Sequence, residues 1–163
     1  MNRMRTIYLS LGSNQGNRME NLEETRDFIY FNFGDIVSTS GIYETEPWQM
    51  EGAEPFLNQI VVVNSALSNA EIIREIREIE VFYARQRSPE KYLPRAMDVD
   101  VLFIDQEVIS QADLTVPHPK LAERRFILEP ISEITPEWNH PVYNKTISEL
   151  LAICPDNLKV RKL

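Results

Sequence analysis

The sequence has a single cysteine, Cys154, so an internal disulfide and any multi-cysteine metal site are excluded. It has no apolar run of transmembrane length; the longest core-like stretches, such as Val99–Ile104, are strand-sized. The charged start Met1-Asn2-Arg3-Met4-Arg5 leads into a short alternating segment rather than an apolar signal core, which predicts a cytoplasmic protein without a membrane partner. Net positive charge is missing too. At −8 and a pI near 4.8, the chain lacks the potential that a nucleic-acid surface normally needs. Neither G-x-x-x-x-G-K-[ST] nor G-x-G-x-x-G occurs, so no P-loop or dinucleotide fingerprint is available. No repeat and no Gly/Ser linker divides the 163 residues, and one domain spanning 1–163 is expected.

What is present is a soluble globular balance, 43% hydrophobic and 26% charged, with basic residues concentrated between Arg74 and Arg95. Such a cluster in an acidic chain suits a small polyanion held in one pocket. Arg74 and Arg77 also fit a plainer reading, as helix-surface partners of Glu71, Glu75 and Glu78. Arg85, Arg87 and Arg95 have less of that explanation.

Alternation over Thr6–Leu11 predicts a strand running into the turn-rich Gly12–Asn17. Met19, Leu22, Ile29 and Phe33 approximate helical spacing over Arg18–Phe33, with Asn17 as N-cap. Ile36–Thr45 reads as a second strand, Glu46–Pro55 as a loop long enough to suggest function, and Phe56–Ser65 as a third strand. Ser68 and Glu71 form a capping box for a helix with an inner stripe of Ile72, Ile76, Ile79 and Tyr83. Arg85–Pro94 is polar and aperiodic, a basic loop. Ala96–Ile104 is a strand, Val108–Ile109 a short return, Leu121–Leu128 a short helix, and Thr146–Ile153 a helix with a Thr146–Glu149 capping box. The order strand, helix, strand, strand, helix, strand predicts an α+β fold, a ferredoxin-like sandwich with a mainly antiparallel sheet and helices packed on it.

The chemistry concentrates in Met97-Asp98-Val99-Asp100-Val101-Leu102-Phe103. On a strand, Asp98 and Asp100 share a face, continued by Leu102 and Ile104, while Met97, Val99, Val101 and Phe103 take the other. Their Cα atoms are then ~7 Å apart. Two such carboxylates can bracket two divalent ions about 3.5–4 Å apart, and all-oxygen ligands suit magnesium. A solvated strand face would also place them so. Arg95 beside the pair can neutralise phosphate oxygens, and Arg85 and Arg87 can swing over a triphosphate.

The run Pro94-Arg95-Ala96-Met97-Asp98-Val99-Asp100-Val101-Leu102 resembles the signature of the hydroxymethyldihydropterin pyrophosphokinases. Leu11-Gly12-Ser13-Asn14, Tyr43-Glu44-Thr45-Glu46-Pro47, Phe56-Leu57-Asn58, and Leu114-Thr115-Val116-Pro117-His118-Pro119 followed by Arg124 and Phe126 match that family's landmarks in order. The resemblance implies transfer of a diphosphate from ATP to a pterin alcohol. Asp98 and Asp100 would bind two magnesium ions, and Arg85 and Arg95 would act with them in catalysis. Thr45, Pro47, Trp48, Asn58, Phe56 and Phe126 would hold the pterin, with the two phenylalanines stacking on its ring. Glu80, Arg87, Tyr92, Val101, Thr115, His118 and Arg124 would handle ATP. From the residues alone, Phe56 and Phe126 read as core and His118 as structural, and Glu80 reads equally as a solvated helix residue. Leu93, Tyr92 and Pro119 depart from the usual pattern. A monomer is the expectation by resemblance. An RNA-binding ferredoxin-like domain and a two-metal nuclease or nucleotidyltransferase are the competing readings, although the acidic pI counts against the first.

Overall fold

The computed structural model describes residues 3–46, 54–85 and 96–163, with the backbone alone for Arg85. Its frame is an antiparallel sheet. Strand β1 (Arg5–Ser13) is flanked by β4 (Phe56–Ser65) and β5 (Asp98–Ile104). The far edge of β4 pairs in tandem with β2 (Gly34–Thr39) and β3 (Tyr43–Thr45), and β3 pairs outward with β8 (Val160–Lys162). A separate two-stranded ribbon joins β6 (Ile109–Ser110) to β7 (Thr115–Val116).

Alternation in the strands gives the sheet two apolar faces, and each is covered. Ile7, Leu9, Leu11, Val61 and Val63 pack with Leu22 and Ile29 of α1 (Arg18–Asn32) and with Ile72, Ile79 and Tyr83 of α2 (Asn69–Arg85). Ile60, Val62, Leu102 and Phe103 pack on the other face with Ile127, Leu128 and Ile131 of α3 (Arg125–Ile134), and with Ile147 and Leu150 of α4 (Ile147–Ala152). The α+β expectation therefore holds, with helices on both faces. Covering both faces also takes away the open aromatic sheet that an RNA-binding domain would present.

Local signals explain the element starts. The Asn17 side chain accepts the Glu20 N–H at the head of α1, and Thr146 and Glu149 form a reciprocal capping box on α4. Ser68 and Glu71 exchange bonds ahead of α2. In α1, however, Met19 is 50% exposed rather than inward, and the inner position falls to Thr25, whose hydroxyl donates to Tyr83 Oη on α2. A buried hydroxyl satisfied by a partner on the neighbouring helix does the work expected of an apolar side chain.

Three further expectations are corrected. The strand read over Ile36–Thr45 is broken at Ser40-Gly41-Ile42, where the Ser40 hydroxyl accepts the Ile60 N–H and the Gly41 N–H turns to the Glu133 carboxylate. The helix read over Leu121–Leu128 is a 3₁₀ turn, Leu121–Glu123, followed by α3, which runs on to Ile134. Most consequential is β5. Leu9 pairs with Val101 and Tyr8 with Phe103, so two residues of β5 oppose one step of β1 and Leu102 bulges. The bulge changes the phase of the strand. Phe103 joins Leu102 on the α3 face, and Ile104 returns to the face of Val99 and Val101, the reverse of strict alternation. The Leu102 carbonyl accepts the His118 N–H at 2.7 Å, tying the segment after β7 to β5 beside the aspartates.

Candidate active site

At the end of the sheet where α3 begins lies a cavity of about 560 Å³ lined by Ser10, Gly12, Thr45, Phe56, Asn58, Asp98, Asp100, Arg124 and Phe126. The strand register explains the grouping. Asp98 of β5 stands opposite Gly12 of β1, and Gly12 opposite Asn58 of β4. Asp100 follows in the next row opposite Ser10. With strands about 4.8 Å apart, Asn58 and Asp98 stand two spacings, ~9.6 Å, from each other. Gly12 leaves the surface between them bare. A Cβ there would come within 3.1 Å of Asn58 Oδ1 and 3.7 Å of Phe56 Cδ1.

Asn58 is 4% exposed and Thr45 is 3% exposed, and the Asn58 amide donates to Thr45 Oγ1 at 3.0 Å. That bond fixes the amide orientation. It also leaves Asn58 Oδ1 as an acceptor and the Thr45 hydroxyl proton as a donor, side by side at the cavity wall. Phe56, at the start of β4, and Phe126, in the first turn of α3, are half-buried and share this cavity. Arg124 lies 5.6 Å from the centre of the Phe126 ring, close enough for a cation–π contact. Arg18 ties two of the strands that carry the site. Its guanidinium donates to the Pro55 carbonyl at 2.8 Å and pairs with Glu44 at 3.3 Å, joining the ends of β3 and β4.

A second cavity of about 360 Å³ adjoins the first through Asp100, which lines both. Glu80, Val99, Val101, Thr115 and His118 line it, together with Arg77, whose guanidinium pairs with Asp113 at 3.2 Å. Arg77 was expected to pair along its own helix and instead reaches across to the segment before β7. His118 Nδ1 accepts the Lys120 N–H at 3.1 Å, so the neutral ring carries its proton on Nε2, free to donate to an anion. Burial pushes the His118 pKa below its usual value. The Asp100 carboxylate opposes that shift, and the cations of Arg124 and Lys120 reinforce it.

The structure thus brings together Thr45, Phe56, Asn58, Asp98, Asp100, Arg124 and Phe126 in one cavity, and Glu80, Asp100, Val101, Thr115 and His118 in the other. Arg124, grouped with the nucleotide residues on resemblance, lines the first cavity. Pro47, Trp48, Arg87, Tyr92, Leu93 and Arg95 fall outside the described residues, as does the side chain of Arg85 at the end of α2. Sequence reasoning missed Lys120, Glu123 and Asp156, all in the first cavity. Lys120 precedes and Glu123 ends a 3₁₀ turn with no periodic signal, and Asp156 reaches the site only through tertiary packing. Asn14 is 3% exposed, and its Oδ1 has no partner among the described residues.

Asp98 and Asp100 form an all-oxygen pair at one cavity, a donor set suited to a hard divalent cation. Among the described residues no cluster of three or more His, Cys, Asp or Glu could hold a metal by itself. Nor does any helix among the described residues have the length and apolarity to cross a membrane.

Comparison with known proteins follows the same lines. Residues 8–136 match the family model described as 7,8-dihydro-6-hydroxymethylpterin-pyrophosphokinase. A 2-amino-4-hydroxy-6-hydroxymethyldihydropteridine pyrophosphokinase of Aquifex aeolicus is 35% identical over 150 residues, covering 90% of each chain. A folate synthesis bifunctional protein of Chlamydia trachomatis is 36% identical over 91% of this chain, which spans only 36% of that protein. Among solved structures, a wild-type HPPK-DHPS chain of Plasmodium falciparum superposes with a TM-score of 0.76 at 18% identity, over 93% of this chain and 45% of its own length.

Proposed function

Because this chain belongs to the 7,8-dihydro-6-hydroxymethylpterin-pyrophosphokinase family, we propose that it transfers the diphosphoryl group of ATP to the hydroxymethyl oxygen of 6-hydroxymethyl-7,8-dihydropterin, releasing AMP and the pterin diphosphate used in folate biosynthesis. The observation that carries this reading is the position of Asp100 on the boundary of two cavities, one built to read a flat heterocycle and the other offering the hydrogen-bond donors of Thr115 and His118.

In the first cavity, Phe56 and Phe126 offer ring faces to the pterin while Asn58 Oδ1 and the Thr45 hydroxyl read its polar edge. The bare backbone at Gly12 lets a ring anchored on Asn58 extend its one-carbon arm toward Asp98. Pro47 and Trp48 complete the pterin side by resemblance. In the second cavity, Val101 and Glu80 contact the nucleoside portion of ATP, and Thr115 and the Nε2–H of His118 donate to its phosphates. Arg85, Arg87, Tyr92 and Arg95 belong with this group by family position. Arg124, beside Phe126, lies where a cation compensates charge near the transferred group.

Asp98 and Asp100 would hold two magnesium ions, which when bound neutralise phosphate charge and lower the pKa of the attacking hydroxyl. The chain's own contribution is positioning. It seats the alcohol in one cavity and the phosphates in the other, with the reacting atoms meeting at their shared wall, so that an in-line displacement needs no covalent enzyme intermediate. The enzyme is read as a single domain, in keeping with helices packed on both faces of its main sheet, and, from its sequence and its resemblance, as a cytoplasmic monomer.

The test is product analysis with γ-labelled ATP. Label should appear in a pterin diphosphate, with unlabelled AMP formed only when the pterin alcohol is present. Formation of ADP would show transfer of a single phosphoryl group, and AMP release that ignores the pterin would favour the nuclease or nucleotidyltransferase reading; either overturns the assignment.

A further inference from the structure

The segment after α4 lies beyond residue 136, where the family match ends, yet it lines the pterin cavity. Helix α3 starts at Arg125 with Arg124 as its N-cap residue, and no side chain of that cap accepts a helix N–H. The missing cap is supplied from 31 residues away. Asp156 Oδ2 accepts the Arg125 N–H at 3.0 Å, and Asp156 Oδ1 accepts the Leu158 N–H at 2.9 Å. The Arg125 side chain returns the contact through Nε to the Asp156 carbonyl at 2.9 Å and Nη2 to the Cys154 carbonyl at 3.5 Å. Asp156 is 4% exposed and lines the cavity with Pro155. A carboxylate held at a helix N-terminus by backbone donors is favoured both by the bonds and by the helix dipole.

Four residues on, the same segment enters β8 and pairs with β3: Val160 stands opposite Thr45, and Arg161 pairs with Glu44 at 3.0 Å. Lys162 adds a 2.8 Å contact to Glu133, whose carboxylate also accepts the Tyr43 hydroxyl at 2.7 Å and the Gly41 N–H at 2.8 Å. Phe126 at the head of α3 and Thr45 at the end of β3 both line the cavity. The segment from Cys154 to Lys162 is bonded to both elements.

We infer that Asp156 is a positioning residue for the pterin, acting through Arg125 and β8 to hold Phe126, which offers a ring face, in register with Thr45, which reads the ring's polar edge. This rests on reading the first cavity as the pterin site. The second cavity has no residue from this segment, so nucleotide affinity should be insensitive to it.

The test measures pterin affinity from the fluorescence of 6-hydroxymethylpterin, in the presence of magnesium and a saturating non-hydrolysable ATP analogue, alongside the affinity for that analogue and the steady-state KM and kcat. For Asp156→Ala we expect the pterin Kd and KM to rise about tenfold, with the analogue Kd within twofold of wild type. Asp156→Asn keeps one acceptor oxygen and should recover part of the loss; it also decides the question if the alanine variant does not fold. Equal weakening of pterin and nucleotide would reduce Asp156 to a general structural role, and unchanged pterin affinity would overturn the inference outright. Wild-type protein that binds no pterin would instead overturn the reading of the cavity itself.

Discussion

Replacing Gly12 with alanine tests the pterin cavity by adding one methyl group. The new Cβ would sit 3.1 Å from Asn58 Oδ1 and 3.7 Å from Phe56 Cδ1, so Asn58 must retreat by a few tenths of an ångström. It is not free to do so, because its amide nitrogen is bonded to Thr45 Oγ1 at 3.0 Å. Weakening that bond costs about 1 kcal/mol, and losing the ligand hydrogen bond at the displaced Oδ1 about 1 kcal/mol more. Together, ~2 kcal/mol corresponds to roughly 30-fold in pterin affinity. The backbone at Gly12 lies outside the left-handed region, so alanine adopts it without strain and reduces the entropy of the unfolded chain. The thermal midpoint should therefore change little while pterin binding falls. Pterin fluorescence titration with a saturating ATP analogue, run beside a melting curve, separates the two. A Gly12→Ala protein that binds pterin within twofold of wild type would refute the claim that Asn58 reads the ring from a fixed position.

Two further outcomes follow from the same geometry. Phe126→Ala should weaken pterin binding by about 2 kcal/mol, some 30-fold, through loss of a ring face, with nucleotide affinity nearly unchanged; equal affinity for pterin in the same titration would remove the stacking role. His140, 3% exposed, should make stability pH-dependent. Its Nδ1 accepts the N–H groups of Val142 and Tyr143, and burial lowers its pKa from the ordinary 6.5. The unfolded chain then takes up a proton near pH 6.5 that the folded protein resists, so stability falls as pH drops below that value, by at most ~1.4 kcal/mol per pH unit. Urea unfolding at pH 7.5 and 5.5 should show a smaller loss for His140→Asn than for wild type, and identical losses would show that His140 contributes nothing to the slope.

Much of this was legible in the sequence because local signals and tertiary structure agree. The capping pairs Ser68–Glu71 and Thr146–Glu149 mark real helix starts, and the D-x-D pair faces a cavity as its spacing implies. What escaped depends on partners distant in the chain. Nothing in Leu102-Phe103-Ile104 announces a bulge, because the extra residue is defined only against Tyr8 and Leu9 on β1. Strand β8 is too short to show alternation and exists because β3 offers it an edge. Asp156, between Pro155 and Asn157, reads as a turn residue, and only the fold reveals that its carboxylate caps α3. Arg124 shows the same limit: resemblance grouped it with the nucleotide, and packing sets it against Phe126.

Two carboxylates, Asp98 and Asp100, are central to the proposed chemistry at a site shared by two substrates. Single-turnover AMP formation by Asp98→Ala and Asp100→Ala, with both substrates saturating and magnesium present, tests it most directly. Each variant should keep the wild-type circular dichroism spectrum and lose about a thousandfold or more in rate, the scale of several kcal/mol of lost charge stabilisation. A folded variant of either kind that turns over near the wild-type rate would contradict it.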